Sequence, residues 1–457
     1  MSHYSELVSG AVRKARWRLL PMLIVMYIMS ILDRVNVGFA KSALQVDTGI
    51  SDSAFALGAG IFFVSYAIFE VPSNVILSRV GPRIWLCRIM VTWGLVASAM
   101  MFATSEMSFY VLRFLLGIAE AGFYPGVLLT LTYWFPVKVR AQANGILLFG
   151  FAGALVIGGL VSGALLDMHG IGGLKGWEWM FLIEGAMAVV VGIVAFFVIV
   201  DRPHTAKWLT PREQDALQAV LDQEAADKSV ASPHTVMQTL RNPQVMFFAA
   251  NFFIVQIAAY GLIFYLPSQV AQIMGQKIGL MVGFVTSIPW LLALFVVYFV
   301  TRWSDRHHER RRATVASLYA IFGVCVCLSA HGSPVFAIAA LSIGASTYLS
   351  GTPIFYAFLS ERLSGLGIAT GIALVNSIGN LGGFVAPNLR TYVEQNHGGS
   401  AAGLYTLGSA ALVASLMLVF MPRAWRTVAA RGRPAAGQGA PCGRPGGGDA
   451  SGRRATP

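Results

Sequence analysis

Residues 19–42 read LLPMLIVMYIMSILDRVNVGFAKS. No charge falls between Leu19 and Leu32, and then Asp33 and Arg34 stand side by side. As a helix this stretch is about 36 Å long, enough to cross a hydrocarbon core of about 30 Å. Lipid offers no partner to backbone N–H and C=O groups, so the crossing has to be helical. An acid and a base inside such a run are costly, and residues that cost that much in a membrane usually serve a function.

The same pattern recurs through the chain. Apolar segments follow at about 54–78, 84–104, 109–133, 142–166, 177–200, 244–268, 279–301, 313–330, 334–358, 367–390 and 402–421. Twelve spans need about 240 residues, and 56% of the 457 residues are apolar while only 12% are charged. A soluble domain runs nearer 45–50% apolar and about 25% charged. Soluble enzyme, disordered chain, disulfide scaffold and nucleic-acid binder are all excluded on this composition. The expected fold is an all-α membrane protein of twelve transmembrane helices in two six-helix pseudo-repeats.

The net charge of +12 is a matter of placement. With both termini in the cytoplasm, 27 Lys and Arg fall inside and four fall outside: Lys41, Lys175, Lys277 and Arg390. That asymmetry is the positive-inside rule and fixes the orientation. The expected location is the cell inner membrane. No cleavable signal peptide is expected, because the first apolar segment exceeds a signal h-region. Four cysteines at scattered positions form no disulfide framework.

The reading divides the chain into an N-tail (1–18), a first bundle (19–200), a cytoplasmic linker (201–243), a second bundle (244–421) and a Gly/Pro/Arg-rich tail (422–457) expected to be disordered. Within the linker, Thr210-Pro211-Arg212-Glu213 is a capping box with Pro at the first helical position, predicting a helix over about 211–227. The halves echo each other. Arg79 and Arg83 in loop 2–3 are each 227 residues before Arg306 and Arg310 in loop 8–9. Gly158-Gly159 and Gly382-Gly383 are 224 apart. Gly159-xxx-Gly163, Gly367-xxx-Gly371 and Gly379-xxx-Gly383 put small residues on one helix face, where backbones can approach closely.

Four intramembrane charges stand out: Asp33 and Arg34 in span 1, Arg113 and Glu120 in span 4. Glu70 and Glu184 are weaker candidates. Counted at 1.5 Å per residue, Asp33 lies about 21 Å along its span, Arg113 about 6 Å and Glu120 about 16 Å along theirs. Arg113 and Glu120 share one helix face, two turns apart. Asp33 and Arg34 point about 100° apart and cannot meet one partner in the same way. Arginine keeps its proton and presents a fork that fits a carboxylate. A carboxyl in an apolar setting favours its neutral form and can carry a proton. Two arginines beside two titratable acids can couple an anion to a proton; the same four charges can also serve only to pin spans 1 and 4 together. Tyr66, Asn251, Gln256, Tyr356, Asn376 and Asn380 are further polar residues on possible cavity faces, such residues being individually more often helix–helix hydrogen-bond partners than ligands. No nucleophile–base pair, metal-ligand set or phosphate loop is present, so neither an enzyme nor a cofactor or metal site is expected.

These segments together resemble the major facilitator superfamily, and within it the anion:cation symporter family in its tartrate, phthalate, aromatic-acid and sugar-acid branch. The resemblance is carried by Tyr27 through Ala40 with Asp33-Arg34-Val35-Asn36; by YAIFEVPSN at 66–74; by Arg113-Phe114-Leu115-Leu116-Gly117 with Glu120 to Gly126; by WEWMFLIEG at 177–185; by Asp201-Arg202-Pro203; by Tyr260-Gly261-Leu262; by Ser304-Asp305-Arg306; and by Asn376 to Asn380. The resemblance implies uptake of a small organic anion with protons. It puts Asp33 and Glu120 on proton-coupling positions, Arg34 and Arg113 on anion-binding positions, and Tyr66, Tyr356 and Asn376 in the substrate cavity. It makes Asp305, Arg306, Arg79 and Arg83 the gating-loop motifs. The branch usually has Trp where Tyr356 stands and Pro where Leu359 stands. Spans 7 to 12 show no well-buried Arg or Lys, which favours a monoanion or polyhydroxy acid. The expected partners are a small organic anion, protons and the lipid bilayer, with no nucleic acid and a monomeric state. Anion exchange, sodium coupling and a transporter-like sensor remain open alternatives at this point.

Overall fold

The computed structural model describes residues 2–229, 241–362, 367–422 and 425. The disorder expected for 422–457 falls almost wholly outside these residues. Among the described residues the secondary structure is helical throughout, with no strand. In chain order the helices are α1 (Ser2–Thr48), α2 (Asp52–Val80), α3 (Pro82–Ala99), α4 (Glu106–Glu120), α5 (Phe123–Trp134), α6 (Val137–Leu166), α7 (Gly176–Val198) and α8 (Pro211–Ser229). They continue as α9 (Pro243–Met274), α10 (Leu280–Arg306), α11 (Arg311–Leu328), α12 (Pro334–Arg362), α13 (Gly367–Asn380), α14 (Gly382–Asn396) and α15 (Ser400–Val419).

Among the described residues, eleven stretches are long and apolar enough to cross a membrane, with α4 and α5 together making one of them. The eleventh apolar segment of the sequence, 367–390, appears as two short helices in tandem, α13 and α14. Two of the expected single spans are therefore broken. Between α4 and α5, Gly122 adopts a left-handed φ of 83°, and a Cβ there would lie 2.5 Å from Ser73 Oγ. Only glycine turns the chain so tightly against α2. Between α13 and α14 the break is one residue, Leu381, where the hydrogen bonding shortens to Leu381 N–Ile378 O and Phe384 N–Leu381 O. At the other end of the prediction, the expected N-tail continues α1 without interruption.

The first seven helices pack among themselves, chiefly α3 on α7, α2 on α4, and α1 on α6 and α7. The later helices do likewise: α11 on α12 and α15, α10 on α12, and α9 on α13, α14 and α15. Three seams join the two sets: α6 with α10, α2 with α14, and α1 with α9. At the first seam glycine is a steric necessity. A Cβ on Gly283 would lie 2.0 Å from the Gly159 carbonyl, and one on Gly163 2.7 Å from the Gly279 carbonyl. The Gly159-xxx-Gly163 face singled out in the sequence thus meets a second small-residue face across the molecule. At the second seam, Gly383 lets the Phe63 ring come within 2.6 Å of where its Cβ would sit.

Contacts between the halves gather at the end away from the termini. Asp167 Oδ2 accepts from Leu280 N at 2.8 Å, Ser53 Oγ donates to Gln395 at 3.2 Å, and Lys41 Nζ lies 4.7 Å from the Tyr265 ring centre. Arg390 belongs to this region, and it corrects the sequence reading of spans 7 to 12. It is 3% exposed, donates to Glu394 at 2.6 Å and stacks on Tyr265 at 4.1 Å. The sequence pattern ends this span at 390 and so places Arg390 outside, whereas α14 runs on to Asn396.

At the terminus-bearing end, α8 is held to the first half. The capping box forms as read: Thr210 N and Oγ1 both donate to Glu213, and Glu213 N donates back to Thr210. The Glu213 carboxylate also takes Lys14 Nζ at 2.8 Å. Burial pushes the Glu213 carboxyl up, but Lys14 and the Thr210 donors outweigh it and hold the group below the usual carboxylate range. Farther along, Arg140 pairs with Glu224 at 3.2 Å, and Trp208 stacks on Trp134 at 5.2 Å.

Candidate functional site

The polar residues of α1 sort by helix face. Ser30 and Arg34 are one turn apart and point to α4, where Glu120 is fully buried. Ser30 Oγ donates to Glu120 Oε1 at 2.7 Å, Arg34 Nε donates to the same oxygen at 2.8 Å, and Arg34 Nη2 lies 2.7 Å from it. All three partners crowd one oxygen. The other, Oε2, is buried with no hydrogen-bond partner.

Asp33 and Asn36 occupy the adjacent face and look toward α7. Asn36 Nδ2 donates to Glu184 Oε2 at 2.9 Å and lies 3.4 Å from Asp33 Oδ1. Ser162 of α6 donates to Glu184 Oε1 at 2.8 Å. Asp33 Oδ2, like its counterpart on Glu120, is buried and unpartnered. The 100° separation of Asp33 and Arg34 therefore gives two polar nests, one on each side of α1. The first contains a cation and the second two acids bridged by an amide. Sequence reasoning ranked Glu184 low and passed over Ser30, Ser162 and the role of Asn36. The signal available was Asn36 in the α1 motif and Glu184 in WEWMFLIEG.

Arg34 faces the space between the halves. Its side chain is 12% exposed while that of Glu120 is 0% exposed, and Arg34 Nη2, which meets the carboxylate, is itself buried, so Arg34 is the more open member of a largely enclosed pair. The guanidinium lies 4.8 Å from the Tyr66 ring centre and 5.6 Å from that of Phe62. From the other half, Tyr260 of α9 faces the same charge. Tyr260 donates to Asn380 at 3.3 Å, and Tyr356 donates to Asn376 at 3.2 Å. Asn376 and Asn380 are one turn apart on α13 and present one polar edge. Below Tyr66 on α2, buried Glu70 accepts from Ser377 of the other half at 3.3 Å. Asn251 lies apart, donating to the Ala414 carbonyl at 2.6 Å as a helix–helix tie.

Arg113 sits differently from Arg34. It is 1% exposed, its Nη2 donates to the Ala59 carbonyl at 3.2 Å, its Nε donates to that of Gly58 at 3.4 Å, and it lies 4.8 Å from the Phe62 ring. Its fork is spent on α2, two turns of α4 away from Glu120.

The loop motifs also form contacts. Arg83 N donates to Asp201 at 2.8 Å and its Nε donates to the Phe196 carbonyl at 2.8 Å. Gly81, at φ 96°, leaves room for the Asp201 carboxylate 2.7 Å from where a Cβ would be. In the second half Asp305 pairs with Arg311 at 3.0 Å, and Arg311 also pairs with Glu361. The arginine that bonds is thus the neighbour of the Arg310 picked out by the repeat offset. Arg79 and Arg306 are exposed. Among the described residues no group of three or more His, Cys, Asp or Glu is placed to hold a metal.

With this geometry in hand, similarity to known proteins is informative. The sequence profile of the Major Facilitator Superfamily matches residues 23–387. The chain is 42% identical to the inner membrane transport protein RhmT of Escherichia coli K12, over 93% of this chain and 98% of that protein. It is 39% identical to a protein of Agrobacterium vitis provisionally named a tartrate transporter, over 92% and 93% of the two chains. In fold it is similar to the inward-open structure of the Escherichia coli xylose transporter XylE, with a TM-score of 0.71 at 13% identity over 89% of this chain and 96% of that one.

Proposed function

The chain belongs to the major facilitator superfamily, and from that premise we propose that it carries an organic carboxylate into the cell together with protons, by alternating access of its two helical halves. The observation that carries the proposal is the partly exposed Arg34 paired to a sealed Glu120. A substrate carboxylate that takes Arg34 displaces it from Glu120 and leaves an acid stranded in an apolar wall. A stranded ionised acid is costly, so it takes a proton. Anion and proton are thereby bound to the same conformational step, which is what coupling requires.

In this reading Arg34 is the anion ligand, and Tyr66, Tyr356 and Asn376 meet the remainder of the substrate. Tyr260 and Asn380 add hydroxyl and amide groups suited to a hydroxy acid. Glu120 and Asp33 carry the protons, each through its unpartnered oxygen. Arg113 is a positioning residue: it fixes α4 against α2 and supports the field around Asp33. Arg79, Arg83, Asp305 and Arg306 belong to the hinges at the terminus-bearing face. That face is cytoplasmic in this reading, the membrane is the inner one and the carrier works as a monomer. A tartrate-like or sugar-acid substrate agrees with the name of the Agrobacterium relative and with the hydroxyl-rich wall.

The test is uptake by purified protein in liposomes. Candidate acids are first ranked by thermal shift at two pH values, because a ligand of the folded state raises the melting temperature. The best binder is then offered with and without an inward proton gradient. Accumulation that vanishes when an uncoupler collapses the gradient supports the proposal. Accumulation that follows a sodium gradient instead, or strict one-for-one exchange, overturns the coupling.

A further inference from the structure

A cavity of about 800 Å³ opens at the terminus-bearing end of α1, lined by Arg13, Lys14, Trp17, Arg18 and Trp208. Four of these residues lie on α1 at spacings that form one face. The fifth comes from the segment just before α8. Lys14 is engaged by Glu213. Arg13 and Arg18 have no acidic partner among the described residues; Arg18 lies 6.0 Å from the Trp208 ring. Trp208 Nε1 is buried and has no hydrogen-bond partner. Two guanidinium groups without an acidic partner thus line one cavity beside the Trp208 ring. Trp17 is 78% exposed, an unfavourable setting for an indole in water and the ordinary one at a bilayer interface.

Depth agrees with that setting. Lys41, at the far end of the same helix, and Arg18 are separated by about 34 Å of helix. If Lys41 marks one edge of a hydrocarbon core of about 30 Å, Arg18 and Trp17 stand in the opposite headgroup layer.

We propose that this cavity is a binding site for the phosphate of an anionic glycerophospholipid, with Arg13 and Arg18 on the phosphate and the exposed Trp17 indole packed against the lipid in the interfacial layer. A lipid bound there joins α1 to the linker helix that Lys14 and Trp208 already dock. A free phosphate ion satisfies the same donors but leaves Trp17 in water, so the lipid is the assigned occupant.

The experiment places the full chain in nanodiscs of phosphatidylcholine alone, and of phosphatidylcholine mixed equally with phosphatidylglycerol. Retained lipid is counted by native mass spectrometry and melting is followed in parallel. Phosphatidylglycerol is expected to be retained and to raise the melting temperature. In the R13Q/R18Q variant its affinity falls about thirty-fold, at several-fold for each interfacial arginine. The charge-matched R212Q/R241Q variant keeps it. Trp17→Ala, a surface change that leaves the fold intact, weakens retention without altering melting in phosphatidylcholine. Equal retention of the two lipids, full retention by R13Q/R18Q, or a melting shift given by inorganic phosphate but not by phosphatidylglycerol would each overturn the assignment.

Discussion

Replacing Glu120 by Gln isolates the proposed coupling step. The amide keeps the size of the acid and can still accept from Ser30 and Arg34, whose donors all meet one oxygen within 2.7–2.8 Å. What disappears is the negative charge and the site for a proton at Oε2. Two magnitudes follow. A hydrogen bond to a charged group contributes about 1.5–3 kcal/mol and a neutral one about 1 kcal/mol. An incoming carboxylate therefore meets a weaker competitor for Arg34 by about 1.4 kcal/mol, and anion binding at alkaline pH tightens about tenfold. The second magnitude concerns energy conversion. Each coupled proton contributes about 1.4 kcal/mol per pH unit, a factor of about ten in steady-state accumulation. Removing one proton site lowers accumulation by that factor at a one-unit gradient. Binding is measured by calorimetry at two pH values, and accumulation in proteoliposomes over a series of gradients. Weaker binding by Glu120→Gln at alkaline pH, or an accumulation slope equal to that of the parent, refutes the reasoning.

Arg113→Lys loses the fork that spans the Gly58 and Ala59 carbonyls, so stability falls by about 1–3 kcal/mol while anion affinity changes only a few-fold. A large loss of affinity with unchanged melting would instead make Arg113 a ligand. Gly159→Val places carbon within 2.3 Å of Ser287 Oγ and 2.6 Å of the Gly283 carbonyl. Overpacking of about 1–3 kcal/mol acts only on the conformation in which this seam is closed, and spin labels at Ser53→Cys and Gln395→Cys should gain a longer distance; an unaltered distribution contradicts this. The Glu213 carboxyl is held low by Lys14 and Thr210 against the opposing effect of burial. Its contribution to docking α8 is therefore complete above the ordinary carboxylate range and is lost as pH falls through the depressed value. Hydrogen exchange in α8 should rise with acidification, and the rise should be absent in Glu213→Gln, which is already loosened at neutral pH.

The topology was legible because lipid imposes it: an apolar run long enough to cross must be helical, whatever its neighbours are. Breaks within spans were less legible. Gly122 and Leu381 interrupt helices because of what lies against them, Ser73 in one case and the shortened hydrogen bonds before Gly382 in the other. The faces of α1 were readable from the 100° between Asp33 and Arg34, but not the partner that each face meets. Glu184 follows Asn36 by 148 residues, and only the packing of α1 on α7 joins them. Arg113 shows the same limit from the other side. Its seven-residue spacing from Glu120 correctly put both on one face of α4, yet two turns of about 5.4 Å each carry it to different neighbours.

The unread part of the site consists mostly of neutral residues, and there is a physical reason for that. Hydropathy marks a buried acid because the acid is expensive, but it does not mark what offsets the expense. In this bundle the offset comes from Ser30, Ser162 and Asn36, small groups that cost little to place in a helix and supply one donor each. Asn36 stands between the two carboxylates of the second nest and gives its amide to both Asp33 and Glu184, so the charge state of one acid bears on the other through a residue that never titrates. A buried carboxyl therefore implies donors within one turn of it or on the facing helix. The oxygen those donors leave bare, as on Asp33 and Glu120, is the one to which the proposed mechanism assigns the proton.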